Sequence, residues 1–263
     1  MGLGGAGPAE LQALADARGA TYEPHPRGSP AAREAIARYC TERAGGLSPP
    51  AGTDPDDLVL VSSTSEAYAH LFRLLCEPGD EVLVPRPSYP LFEPLATLED
   101  VRVEHYRLAY HQGWRLDLDS VEGALSPRTR AIVVVQPNNP TGSCLSPGEM
   151  AAVESLCAER GIAIISDEVF GDFPWAPSAG PLPTLLGERH ALTFVLSGLS
   201  KLCGMPQLKL AWIALAGPGP TRRDALRGLE WIADLFLSVS TPVQLALPKL
   251  LPARRPFQAA VQE

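Results

Sequence analysis

One feature constrains this chain more than any other: short apolar runs alternate with segments of helical periodicity over most of its length. DLVLVS (57–62), PGDEVLV (78–84, a turn then a strand), VRVEHYRL (101–108), AIVVVQ (131–136), IAIISDE (162–168), TFVLSG (193–198) and LKLAWIAL (208–215) read as strands. Between them, 64–76, 89–99 (despite Pro94), 118–125, 146–161, 221–237 and 242–251 read as helices, and an earlier one over 30–41 opens on a proline after Ser29. The 146–161 segment has both a serine start and a glycine stop. Apolar strands interleaved with helices predict an α/β fold of three layers, a largely parallel sheet covered on both faces. Ligands of such sheets bind beyond the carboxyl ends of the strands. The polar residues expected there are Ser62–Ser65, Asn138–Asn139, Asp167–Glu168 and Ser197–Lys201. The turn-rich stretch 44–57 reads as a surface connection. GLGGAG (2–7) has no strand before it and no ribose-binding acid after it, so it is not read as a dinucleotide fingerprint.

Composition narrows the function. With 263 residues the chain has ample length for a core, and its net charge of −8 argues against a nucleic-acid binder, which needs a basic patch. No apolar run approaches the roughly 20 residues of a membrane span, and the N-terminus lacks the pattern of a signal peptide. Cys40, Cys76, Cys144, Cys157 and Cys203 are scattered and never form a CxxC pair, so no metal site is expected; free thiols predict a reduced, cytoplasmic compartment. Only three of the 22 basic residues are lysine, and two of them, Lys201 and Lys209, share the segment SGLSKLCGMPQLKLAW. Lysine forms Schiff bases and arginine does not, so a lysine kept against this bias is a candidate for amine chemistry.

Each rim residue has a bland reading beside the functional one. Ser62–Ser65 opens a helix, which suits either a phosphate cradle or an ordinary N-cap. Asp167 ends an almost wholly apolar strand and needs a cationic partner or several donors, in an ion pair, a cap or a ligand site. Asn139 in PNNPTG is a ligand group or only a turn residue, and Tyr89 in PRPSYP stacks on a flat ligand or fills core. Lys201 is delivered to the rim by a strand or is simply a surface lysine; Lys209, alternating with apolar neighbours, points into a pocket or marks an edge strand.

Taken in order, SSTSEAY, EPGDEVLVPRPSYP, QPNNPTG, ISDEVF and SGLSKLCGMPQLKLAW, preceded by YEPHPRGSPAAREAIARY, resemble the class I/II aminotransferases, fold-type I enzymes that use pyridoxal 5′-phosphate (PLP). The likeness runs from about Tyr22 to Leu251. It implies that Lys201 holds the cofactor as an internal aldimine and moves the proton between Cα and the cofactor. By the same resemblance Asp167 pairs with the pyridinium nitrogen and Asn139 with the ring's phenolic oxygen. It further implies that Tyr89 and Val169 pack the two ring faces, with Phe170 beside them where the family often has a tyrosine. Ser63, Thr64, Ser65, Ser197, Ser200 and Lys209 would surround the phosphate. Lys209 replaces a common arginine, and Gly198 replaces a common serine for which the adjacent Ser197 is a possible substitute. Tyr22 matches a tyrosine that reaches the partner subunit's phosphate, so a homodimer is implied.

The resemblance implies three parts: a remnant or arm over 1–21, a PLP-binding large domain over 22–251 and a tail over 252–263, with most of the family's C-terminal small domain expected to be absent. The implied activity is transfer of an amino group between an L-amino acid and a 2-oxo acid. A PLP-dependent carbon–sulfur β-lyase, or a catalytically impaired PLP-binding remnant, are the alternatives.

Overall fold

A computed structural model describes residues 8–45, 53–174, 182–237 and 239–262; the glycine-rich 2–7 and part of the 44–57 connection lie outside them. Among the described residues the strands are β1 (Leu58–Val61), β2 (Glu81–Arg86), β3 (Arg102–Tyr110), β4 (Trp114–Leu116), β5 (Thr129–Val135), β6 (Ala163–Asp167), β7 (Thr193–Gly198) and β8 (Ala211–Ala216). They form one sheet in the order β1-β8-β7-β6-β5-β2-β3-β4. The five strands from β3 to β7 in that order are mutually parallel, while β4, β8 and β1 add antiparallel pairings.

The helices are α1 (Pro8–Leu11), α2 (Pro30–Ala44), α3 (Thr64–Leu75), α4 (Phe92–Leu98), α5 (Leu118–Ala124), α6 (Pro147–Arg160), α7 (Leu199–Leu202), α8 (Gly219–Phe236), α9 (Thr241–Leu250) and α10 (Arg254–Gln262). Their starts follow from the sequence. The Ser29 hydroxyl accepts from the Ala32 N–H ahead of α2, and Ser146 with Glu149 forms a reciprocal capping box on α6. Gly161 ends α6 in the left-handed region at φ 65°, where glycine has no Cβ to strain.

Alternation along the strands sends side chains to two cores. Leu60, Ile132, Ile164, Val195 and Trp212 face α2, α5, α6 and α9. Val61, Val133, Ile165, Leu196 and Ile213 face α3, α4 and α8. A side chain of this kind, fully buried, stabilises the fold by about 1.5–3 kcal/mol. The expected three layers are therefore present.

One local expectation is corrected, and two elements are added. The strand over 208–215 begins only at Ala211: Pro206–Leu208 is a 3-10 turn and Lys209 sits after it at φ 51°. Lys209 therefore does not alternate along a strand, and its side chain is exposed. The hairpin strand β4 was not anticipated, because three residues carry too little alternation to read. The tail over 252–263 carries the end of a 3-10 turn (Leu251–Ala253) and α10.

Candidate active site

Strand register brings the rim residues to one edge. Val61 of β1 pairs with Ala211, and Ala211 pairs with Gly198 of β7, so the three lie at one level. Two antiparallel steps restore the direction, so β1 and β7 both run toward this edge. The parallel β5, β6 and β7 end there as well, with Val135 opposite Asp167 and Asp167 opposite Leu196. Ser62–Ser65, Asn138–Asn139, Asp167–Phe170, Ser200–Lys201 and Lys209 consequently leave the sheet on the same side, and β2 delivers Tyr89 in the same direction.

Asp167 is the centre of the arrangement. Following Ile165 by two residues, it takes the α3 face, where the Tyr68 hydroxyl donates to its Oδ2 at 3.0 Å. The Val169 N–H donates to Oδ1 at 3.2 Å. No arginine salt bridge reaches it among the described residues. Burial pushes its carboxyl up to about 6, against the Val169 N–H, the Tyr68 hydroxyl and the nearby Lys201 ammonium, all of which pull it down. Lys201 follows β7, the strand paired with the Asp167 strand β6, at the same edge. Its Nζ lies 6.0 Å from the centre of the Phe170 ring, in the turn that directly follows Asp167. Lys201 itself is exposed, so its amine is open to a ligand.

The N-terminus of α3, a candidate anion site, opens at the same edge. Ser63 caps α3, its hydroxyl accepting from Glu66 N–H at 3.1 Å, and the Glu66 carboxylate accepts from the Ser62 N–H. The remaining first-turn N–H groups, at Thr64 and Ser65, have no helical carbonyl to bond, which is the usual basis of phosphate binding. Lys209, two residues from Ala211, leaves the neighbouring strand beside them. Ser200 is half-buried in α7, next to Lys201.

Asn139 and Tyr89 are exposed, Tyr89 to 51%. A cavity of about 470 Å³ is lined by Asn139, Phe170 and Phe173, together with Val261 and Gln262 of α10. The turn geometry around Asn139 is held by its neighbour: the Asn138 amide donates to Thr141 Oγ1 at 2.8 Å and to the Pro87 carbonyl at 3.1 Å. Val169 and Phe170 are half-buried. Tyr22 is 77% exposed.

Ser197 is a correction. It pairs across the sheet with Trp212, a member of the α2–α9 core, so its side chain takes the face opposite Asp167 and α3. There its hydroxyl is buried with no hydrogen-bond partner among the described residues. It does not stand in for a serine at 198. Position 198 does take the α3 face, but a Cβ there would meet the Ala211 Cβ at 2.7 Å and the Leu210 carbonyl oxygen at 3.0 Å. Close approach of β8 explains the glycine.

Sequence reasoning missed Tyr68, since an aromatic on an amphipathic helix reads as core. Its only signal was spacing: four residues after Thr64, it shares that residue's helix face.

The sequence profile described as Aminotransferase class I and II matches residues 6–262. Nicotianamine aminotransferase 1 of Oryza sativa subsp. japonica is 32% identical over 247 residues, covering 91% of this chain and 48% of that relative. Glutamate-pyruvate aminotransferase AlaA of Escherichia coli K12 is 30% identical over 200 residues, covering 74% of this chain and 48% of that protein. The chain spans about half the length of these curated relatives. Among solved structures, alanine aminotransferase from Pyrococcus furiosus superposes with a TM-score of 0.85 at 26% identity, over 96% of this chain and 63% of that one.

Proposed function

The chain belongs to the aminotransferase class I and II family, whose members are PLP-dependent, and from that premise we propose that it binds PLP and carries the amino-transfer half of the site on its own residues. The observation that supports this most is the pairing of a largely enclosed Asp167, short of cationic partners, with an accessible Lys201 amine on the same sheet edge.

The donor set fits the group. PLP supplies, when bound, an aldehyde for amine exchange and a ring that accepts the electrons released at an amino acid's Cα. Lys201 Nζ is the attachment point and the base that takes and returns the Cα proton. Asp167 offers a carboxylate to the ring N–H and holds that proton there. The first-turn N–H groups of α3, with the Thr64 and Ser65 hydroxyls, Ser200 and Lys209, bind the phosphate. Lysine does this as a point charge without the two-pronged grip of arginine. Asn139 orients the ring oxygen, and Tyr89, Val169 and Phe170 enclose the ring in apolar surface. The substrates are an L-amino acid and a 2-oxo acid.

A second copy of the chain is proposed as partner. Trp231, Leu235 and Leu237, at the end of α8 and just beyond it, are 71–76% exposed, an apolar surface of the kind that marks association. No helix among the described residues is long and apolar enough to cross a membrane, and the five cysteines are free, in keeping with the proposed cytoplasmic setting.

Reconstitution with PLP, borohydride reduction and peptide mapping tests the assignment. One label on Lys201 is expected; a label on Lys209, or none, overturns it. Amino exchange with a 2-oxo acid supports transfer, whereas pyruvate and ammonia from cysteine-like substrates would replace it with elimination.

A further inference from the structure

We infer that Tyr68 is a positioning residue for the cofactor: its hydroxyl clamps Oδ2 of Asp167 so that the carboxylate presents its remaining acceptor capacity to a protonated ring nitrogen at the strand end. The inference rests on the PLP reading above and adds a residue to it.

Three observations carry it. The hydrogen bond is direct, 3.0 Å from the Tyr68 hydroxyl to Asp167 Oδ2. Tyr68 is held rigidly, 1% exposed, with its ring edge-on to Phe92 at 5.3 Å and tilted against Phe72 at 6.0 Å. Its hydroxyl oxygen is therefore held at one place. Finally, Tyr68 rises from the same helix whose N-terminus faces the proposed phosphate position, so one rigid element sets both the anion site and the carboxylate.

The chemistry follows from the direction of donation. Burial and the neighbouring acid push the Tyr68 hydroxyl well above its ordinary range, so it stays protonated and can only donate to the carboxylate. Val169 N–H donates to the other oxygen. Both bonds favour the ionised form of Asp167, and an ionised acid is what keeps a ring nitrogen protonated. Without Tyr68, burial would act with less opposition, and the carboxylate would lose the contact that fixes its rotamer.

The test uses the full chain and Tyr68→Phe, which keeps the ring contacts and removes only the hydroxyl. In cofactor-free protein, NMR of the Asp167 side-chain carbon is expected to show the titration midpoint moving up by about one pH unit in Y68F. With PLP added, Y68F is expected to keep the borohydride-fixed label on Lys201 but to bind PLP about 10- to 100-fold more weakly, the range for losing a hydrogen bond to a charged group. In an Asp167→Ala background the same Tyr68→Phe change is expected to have no further effect, because the hydroxyl acts through that carboxylate. An unchanged titration and unchanged affinity in Y68F overturn the inference, as does an equal loss of affinity with and without Asp167, which is what a purely structural tyrosine gives. Absence of any label on Lys201 in the unaltered chain instead overturns the PLP reading, while a shifted Asp167 titration would still establish the clamp.

Discussion

Asp167 and Glu168 are adjacent acids at the end of one strand, and they live in opposite environments. Glu168 is sealed on the α2 side. Arg43 Nη1 lies 2.5 Å from its carboxylate, and the Ser166 hydroxyl, the Thr184 hydroxyl, the Leu185 N–H and the Gln136 amide all donate to it. Asp167, on the α3 side, has one hydroxyl, one backbone N–H and a lysine at a distance. The saturated acid is structural, tying α2 to the sheet. The under-satisfied acid leaves acceptor capacity for a ligand that brings its own positive charge. Strand alternation, by sending neighbours to opposite faces, lets consecutive residues take such different work.

Breaking the saturated side has the largest expected effect. Glu168→Gln leaves the buried Arg43 guanidinium with only Asp172, 3.4 Å from its Nε, as counter-charge, and should lower stability by up to about 3–5 kcal/mol in denaturant unfolding. A loss below about 1 kcal/mol would mean the two acids are less different than their contacts imply.

The under-satisfied side should respond in the other direction. The Asp167 carboxyl sits near 6 in the folded protein against an ordinary 3.8, so between those values the folded state binds more protons than the unfolded state. Stability of the cofactor-free protein should therefore fall as pH rises from about 4 to about 6, by about 1–3 kcal/mol from this group. Asp167→Asn should remove that slope and stabilise the cofactor-free protein at neutral pH, as thermal melts across the pH range would show. A slope unchanged in the variant would assign it to other groups.

Smaller effects sharpen the picture at the end of β7. Gly198→Ser forces a Cβ into Ala211 and the Leu210 carbonyl, and should cost about 1–3 kcal/mol in the same unfolding assay. Ser197→Ala deletes a buried hydroxyl that has no hydrogen-bond partner among the described residues. Its effect on stability should stay within about 1 kcal/mol, and PLP affinity by spectroscopic titration should be unchanged, since the side chain faces away from α3. A large loss of PLP affinity in S197A would restore the role its sequence position suggested.

Much of this was legible in the sequence, for physical reasons. The alternation of apolar runs with helical segments specified the layered sheet, and polar residues ending several of the buried runs marked the rim, so Asp167 and Lys201 could be named before β6 and β7 were seen to pair directly. What could not be read depends on face and close approach. Ser197 and Gly198 differ by one residue, and only the pairing of Ser197 with Trp212 reveals which of them turns to the α3 side. Lys209 sits among apolar residues that mimic strand alternation, yet a left-handed turn carries it outside the strand. Tyr68 is indistinguishable from core packing until its hydroxyl is seen 99 positions away in sequence on Asp167.

Asp167, short of cationic partners among the described residues, suits a positively charged ring. Spectroscopic titration with PLP of the unaltered chain and of Asp167→Asn, side by side at neutral pH, tests it most directly. The unaltered chain is expected to take up PLP and the variant to bind it about 30-fold or more weakly, the scale for removing one partner of a buried charge pair. Equal affinities would contradict it.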